Sequence, residues 1–256
     1  MFSFFKNSLL TLPFLLLSHN AMADISVHFT EYKIFMDKNK PFHNYNIFNQ
    51  GNSTAECKLS FIDYNITANG DFQIIKKGDS SPINSAVKKL RLSPKQVNIT
   101  AKSSQKVKVI VRGIRNFPDG ELHSYLSINC SEANLTLKKG INLSPNFIYN
   151  IPITIRKGEL TATAEIKNLK VENHNNSYSL TFNMLREGNR SLYGDFTVTD
   201  ETGDKIGEVT GFSHYLQAKS IPVSITLTSA PHGKITVDFM EQKRFGGDVN
   251  ITKSTQ

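Results

Sequence analysis

Few residues in this sequence have the type and spacing that catalysis requires. Residues 78–80 (Gly-Asp-Ser) have the form of some lipase nucleophile motifs, but they sit inside a Gly/Ser/Pro turn with no supporting block. The seven histidines are dispersed and none lies at ligand spacing. His123 and His214 fall in predicted strands and read as packed or surface residues. Asp119 and Glu121 form a close carboxylate pair, yet they read as parts of a turn. No catalytic group, cofactor or metal is expected, so the chain does not read as an enzyme. The remaining reactive pair is Cys57 and Cys130, 73 residues apart. No Cys-x-x-Cys or His-x-x-x-His accompanies them, and an oxidising compartment would let them join. Asn-x-Ser/Thr sequons at Asn52, Asn65, Asn98 and Asn134 matter only in a source that glycosylates.

The elements that position these residues are strands. Short β-branched or aromatic runs recur at 26–35, 44–48, 56–63, 97–100, 106–112 and 122–130, separated by Asn, Asp, Gly, Ser and Pro. With the strand of 141–155, about seven strands precede residue 157, the signature of an immunoglobulin-type sandwich. Cys57 opens the third strand and Cys130 closes the sixth. Those strands are antiparallel neighbours in one sheet, so the two sulfurs should meet. A second series follows at 160–169, 177–186, 194–200, 206–209, 221–228 and 234–241. The fold class is all-β, two immunoglobulin-like sandwiches, with no competing helical stripe. We expect one domain over 24–156, a second over 157–247 and a frayed tail over 248–256.

The first residues read as an export signal. Lys6 gives a positive start, 9–17 are mostly apolar, and Ala21-Met22-Ala23 supplies the small-x-small pattern of a signal peptidase site. Cleavage after Ala23 would place the mature chain in the periplasm. No stretch approaches the ~20 apolar residues of a spanning helix, so no membrane insertion is expected. The formal charge is +8, and 39% hydrophobic with 20% charged residues is ordinary for a globular chain. The cations are scattered along strands and turns, and nucleic acid is not an expected partner of an exported protein.

The most informative stretch is 141–155. Its odd positions are Ile141, Leu143, Pro145, Phe147, Tyr149, Ile151, Ile153 and Ile155, and its even positions are mostly Asn, Ser, Pro and Thr. Period-2 alternation over this length predicts an unusually long strand with one apolar face. Pro145 and Pro152 remove backbone donors, so part of it must be an edge. A long apolar edge is an aggregation hazard unless it pairs with an incoming strand.

These residues, in their order, resemble the periplasmic pilus chaperones of the chaperone–usher pathway, and most closely its divergent branch. The resemblance rests on 90–94 (Leu-Arg-Leu-Ser-Pro) with 104–112, on 117–126 (Phe-Pro-Asp-Gly-Glu-Leu-His-Ser-Tyr-Leu), and on 151–156 (Ile-Pro-Ile-Thr-Ile-Arg). In the second domain it rests on 188–195 (Gly-Asn-Arg-Ser-Leu-Tyr-Gly-Asp) and 211–215 (Gly-Phe-Ser-His-Tyr). It implies that the strand ending in these isoleucines completes a pilus subunit lacking its last strand, which an outer-membrane usher then receives. It also implies two basic residues in the interdomain cleft that anchor the subunit's C-terminal carboxylate. Tyr32 aligns with one family position and Pro152 with the other, so Lys33 and Arg156 become the candidate anchor. Self-capping through the same strand would give a homo-oligomer. An exported tandem-sandwich adhesin or binding module is the alternative; a pilus subunit would have one truncated domain.

Overall fold

A computed structural model describes residues 25–76, 78–133, 146–175 and 177–255. The signal expected at 1–23, and Ile141, Leu143 and Pro145 of the expected edge, lie outside these residues. Nearly everything described is strand and turn, arranged as two sandwiches in sequence.

In the first sandwich one sheet runs β1 (Val27–Phe29), β3 (Phe42–Asn49), β9 (Ser103–Val111) and β7 (Leu90–Ser93). The other runs β2 (Ile34–Asp37), β11 (Phe147–Lys157), β10 (Gly120–Glu132), β4 (Ala55–Ile62) and β8 (Gln96–Ile99). Alternation places Tyr45 and Ile47 of β3, Val107 and Val109 of β9, and Leu126 and Ile128 of β10 in one shared core. The single strand expected over 26–35 is two. Val27 and Phe29 are buried at odd positions, whereas Ile34 and Met36 are buried at even ones. That change of parity marks the crossing from one sheet to the other, and β1 pairs with β3 while β2 pairs with β11. The chain crosses again between β7 and β8.

Cys57 and Cys130 lie directly opposite one another on the antiparallel pair β4–β10 and are joined by a disulfide. Both are fully buried, so the bond lies within the core. Closing a loop of 73 residues should contribute about 4 kcal/mol through the unfolded chain. The paired change Cys57→Ala with Cys130→Ala is expected to lower the unfolding free energy by about that amount in urea titration.

The second sandwich pairs β12 (Ala162–His174), β13 (Ser177–Gly188) and β16 (Ser220–Thr226) in one sheet. Its other sheet is β15 (Lys205–His214), β14 (Leu192–Thr199), β17 (Thr236–Glu241) and β18 (Asn250–Ser254). Phe182, Phe196, Val198, Val237 and Phe239 fill the space between them. The tail expected to fray instead forms β18, because Asn250 to Ser254 pair with Met240 to Thr236 and partly bury Val249 and Ile251.

Besides β7 and β18, one more element has no counterpart in the strands read from sequence. Between β4 and β7 the chain makes a hairpin, β5 (Tyr64–Ile66) and β6 (Phe72–Ile74). Three-residue strands with an exposed second arm carry too little periodicity to be seen.

Candidate functional site: a free strand edge and an interdomain cleft

Strand β11 is the longest continuous edge feature of the first domain. Along one side it pairs with β10 over its whole length, from Phe147 opposite Cys130 to Lys157 opposite Gly120. Along the other side it pairs with β2 only from Ile153 to Arg156. Phe147 to Pro152 therefore present a bare edge among the described residues. Ile151, Ile153 and Ile155 are buried in the domain's own core, and Ile153 and Ile155 are flanked on both sides. Phe147, Tyr149 and Ile151 are the predicted residues that lie on the bare stretch, the first two partly buried against that core and Ile151 buried in it. Tyr149 is held edge-on by Phe29 at 4.9 Å. Ile148, on the opposite face, is 58% exposed.

The outer face of β2, β11 and β10 looks toward the second domain, and the two candidate anchor residues have different fates there. Arg156 is buried and already engaged. Its Nε donates to Glu121 Oε2 at 2.8 Å, Nη1 donates to the carbonyls of Phe245 and Gly246, and Nη2 donates to the carbonyl of Ser191 at 2.8 Å. One guanidinium hydrogen remains for any other acceptor. Glu121 Oε2 also accepts from the Ser191 amide at 3.1 Å, so the pair stitches the two domains. Glu121 is thus a buried member of β10 and not a solvated turn carboxylate.

Lys33 is 2% exposed, and its Nζ makes no hydrogen bond among the described residues. The ammonium lies 4.5 Å from the centre of the Tyr193 ring and 5.9 Å from that of Tyr215, both in the second domain. Burial lowers its pKa to about 8, against the opposing charges of Glu121 and Glu241. Tyr32, which sequence alignment placed at the family's basic position, points outward at 70% exposure. Tyr32 lies in a bend before β2 and turns to solvent, whereas Lys33, directly before Ile34, turns into the cleft.

Around Lys33 the cleft is aromatic. His123 packs on Tyr215 at 4.4 Å and on Tyr125 at 4.8 Å between ring centres. Burial, and then the nearby Lys33 charge, hold the His123 pKa well below the usual range, so it is a neutral imidazole at neutral pH. The β5–β6 hairpin lies across this cluster. Phe72 meets Tyr125 and Tyr215, Tyr64 meets Tyr125, and the Asn150 amide of β11 donates to the Tyr64 hydroxyl at 2.7 Å. At the hairpin tip Gly70 has φ +89°, and a Cβ there would fall 2.8 Å from Ile221 of the second domain. Asn84, which follows the hairpin, accepts from Gln217 at 2.9 Å. Sequence reading missed Tyr193, Tyr215 and this hairpin, because nothing local ties residues so far apart to one cleft.

Beside the cleft, Arg190 makes a two-pronged pair with Glu241, 2.8 Å at each prong, and also bonds Asp248. The Glu241 carboxylate additionally accepts from the amides of Asp248 and Val249. That network fixes the second domain's end of the junction. Residues 78–80 form a turn in which Asp79 accepts from the Lys76 amide. No cluster of metal-ligating side chains occurs among the described residues.

No family model matches the sequence, and a comparison with curated proteins finds no match. Solved structures of similar shape are found. The YadV chaperone is 13% identical, with 91% of this chain and 100% of that chain aligned at a TM-score of 0.49. The CsuC–CsuE chaperone–tip adhesion subunit pre-assembly complex from the archaic chaperone-usher Csu pili of Acinetobacter baumannii is 10% identical, covering 90% and 97% of the two chains at a TM-score of 0.48. The Salmonella enterica SafA pilin in complex with the SafB chaperone is 14% identical, covering 90% and 96% at a TM-score of 0.47.

Proposed function

We propose that this chain is a periplasmic chaperone that completes pilus subunits with the free edge of β11 and passes them to an outer-membrane usher. The observation that carries the reading is the bare stretch from Phe147 to Pro152, continuous with a strand whose far half is locked between β10 and β2. Such an edge offers an unpaired row of backbone donors and acceptors next to a line of apolar side chains, which is what strand addition uses. The sequence motifs shared with the pilus chaperones support it independently. The subunit's terminal carboxylate would meet Lys33, an ammonium with no hydrogen-bond partner of its own among the described residues. Arg156 is occupied at the junction and is not assigned to the carboxylate.

Co-expression of the exported chain with small pilin candidates tests this. A one-to-one complex is expected with the native chain. Tyr149→Asp should weaken it by at least ~30-fold, because a carboxylate replaces the ring that closes the core beside the incoming strand. Unchanged far-ultraviolet circular dichroism would assign that loss to the edge. Full binding by a folded Tyr149→Asp protein would refute pairing along β11.

A further inference from the structure

The opposite side of the first domain carries a second feature, which the β11 edge does not use. Residues 80–118 contain nine Lys and Arg (Lys88, Lys89, Arg91, Lys95, Lys102, Lys106, Lys108, Arg112 and Arg115) and no Asp or Glu. This one segment therefore holds more positive charge than the net +8 of the whole chain. The fold gathers it, because β7, β8 and β9 all come from that segment.

The charges flank an open seam. Strand β8 pairs with β4 only over Ala55 to Lys58, and β7, the part of the chain that precedes β8, belongs to the other sheet. Beyond Lys58 the outer side of β4 has no neighbouring strand among the described residues. Leu59 donates its amide to the Lys95 carbonyl at 2.8 Å on that side. Backbone groups of alternate residues face the same way along a strand, so the N–H and C=O of Phe61 also face the seam. The seam opens into a groove of about 540 Å³. Leu59, Phe61, Leu90 and Leu92 give it an apolar floor, and Arg91, Lys95 and Arg112 stand exposed at its walls.

We propose that this groove docks an extended acidic segment of a partner protein, added as a strand beside Phe61 of β4. Alternate side chains of such a strand would enter the apolar floor, and carboxylates on the other face would meet Arg91, Lys95 and Arg112. Three features select a peptide over an anionic membrane: the site is concave, its floor is apolar, and it offers an unpaired backbone donor and acceptor. A lipid surface would use a flat or protruding basic face and has no use for the Phe61 edge. The inference is independent of the proposed subunit-binding role, since β11 lies on the far side of β10 from β4.

The test uses the full mature chain and a blocked peptide of about twelve residues alternating Glu with Val. A control peptide replaces every Glu with Lys, and phosphatidylglycerol vesicles form a second arm. Binding of the acidic peptide is expected to weaken steeply with salt and to slow hydrogen exchange at the Phe61 amide. The charge-reversed protein Arg91→Glu, Lys95→Glu, Arg112→Glu should bind it at least ~30-fold more weakly. These three side chains are exposed, so the fold should survive, and an unchanged far-ultraviolet circular dichroism spectrum and urea midpoint would report that it has. Equal binding by the reversed protein overturns the proposal, as does peptide binding without protection at Phe61. Binding to vesicles with none to the peptide would also overturn it and leave the face to an anionic lipid surface.

Discussion

Arg156→Ala is expected to lower the unfolding free energy by about 3–5 kcal/mol, the loss that follows when one member of a buried pair is removed. The change strands Glu121, whose side chain is 1% exposed, and deprives the carbonyls of Ser191, Phe245 and Gly246 of their donor. Because those carbonyls belong to the second domain, the damage falls on the junction. Urea unfolding should change from one coupled transition to two separable ones, the first domain melting earlier. The double change Arg156→Met with Glu121→Gln should recover part of the stability, since no buried charge is then left alone. Wild-type stability in Arg156→Ala would show that the clamp contributes nothing. For the same reason, loss of subunit binding in Arg156→Ala would say little about carboxylate anchoring.

Lys33→Met is expected to do the reverse, stabilising the fold while weakening subunit binding. The lysine pKa falls from 10.5 to about 8 on folding, chiefly through burial. A group with a lowered folded pKa binds its proton more weakly in the native state. Its cost, roughly 3 kcal/mol, is therefore fully present below pH 8, fades between pH 8 and 10.5, and is gone above that. Methionine fills similar space and carries no charge, so unfolding at pH 7 should be harder by about 1–3 kcal/mol, less the lost interaction with Tyr193. Subunit affinity should fall at least tenfold, and the native protein should show its own fall as pH rises through about 8 and the ammonium loses its proton. A Lys33→Met protein that binds pilin normally, with a flat pH profile in the native chain, would remove Lys33 from the anchor. A lysine whose replacement improves stability is one whose position is explained by function and not by folding.

These two residues also show where the sequence was legible. The strands of both sandwiches, the opposition of Cys57 and Cys130, and the alternation along β11 follow from side-chain periodicity, which is local. Lys33 was found only through its place beside an apolar pair, and its neighbour Tyr32 was the better match by alignment. What distinguishes the two is their place in the crossing before β2, where Tyr32 sits in a bend and Lys33 adjoins Ile34, and that crossing is marked by the shift from odd to even burial between Phe29 and Ile34. The shift is visible in the residues once both ends of the crossing are considered. Glu121 was misjudged because its turn-like surroundings, Asp119 and Gly120, are local, whereas its partner Arg156 lies 35 residues away on the next strand. The aromatic cleft combines Tyr64 and Phe72 of a hairpin with Tyr193 and Tyr215 of another domain, and no spacing rule links them. Likewise the acid-free segment is evident in the letters, but its concentration around one seam comes only from the crossing between β7 and β8.

The two crossings have a mechanical consequence. In a sandwich whose sheets are joined only by loops at their ends, force applied along one edge strand can peel that sheet away hydrogen bond by hydrogen bond. Here a pull on β11 passes to β2 through their parallel pairing, and from β2 through four residues of chain to β1, which belongs to the opposite sheet. At the other corner β8 passes load to β7 in the same way. Both open corners are seamed, so tension along the β11 edge is shared as shear between the layers. Separating β11 from its neighbours therefore loads both sheets at once.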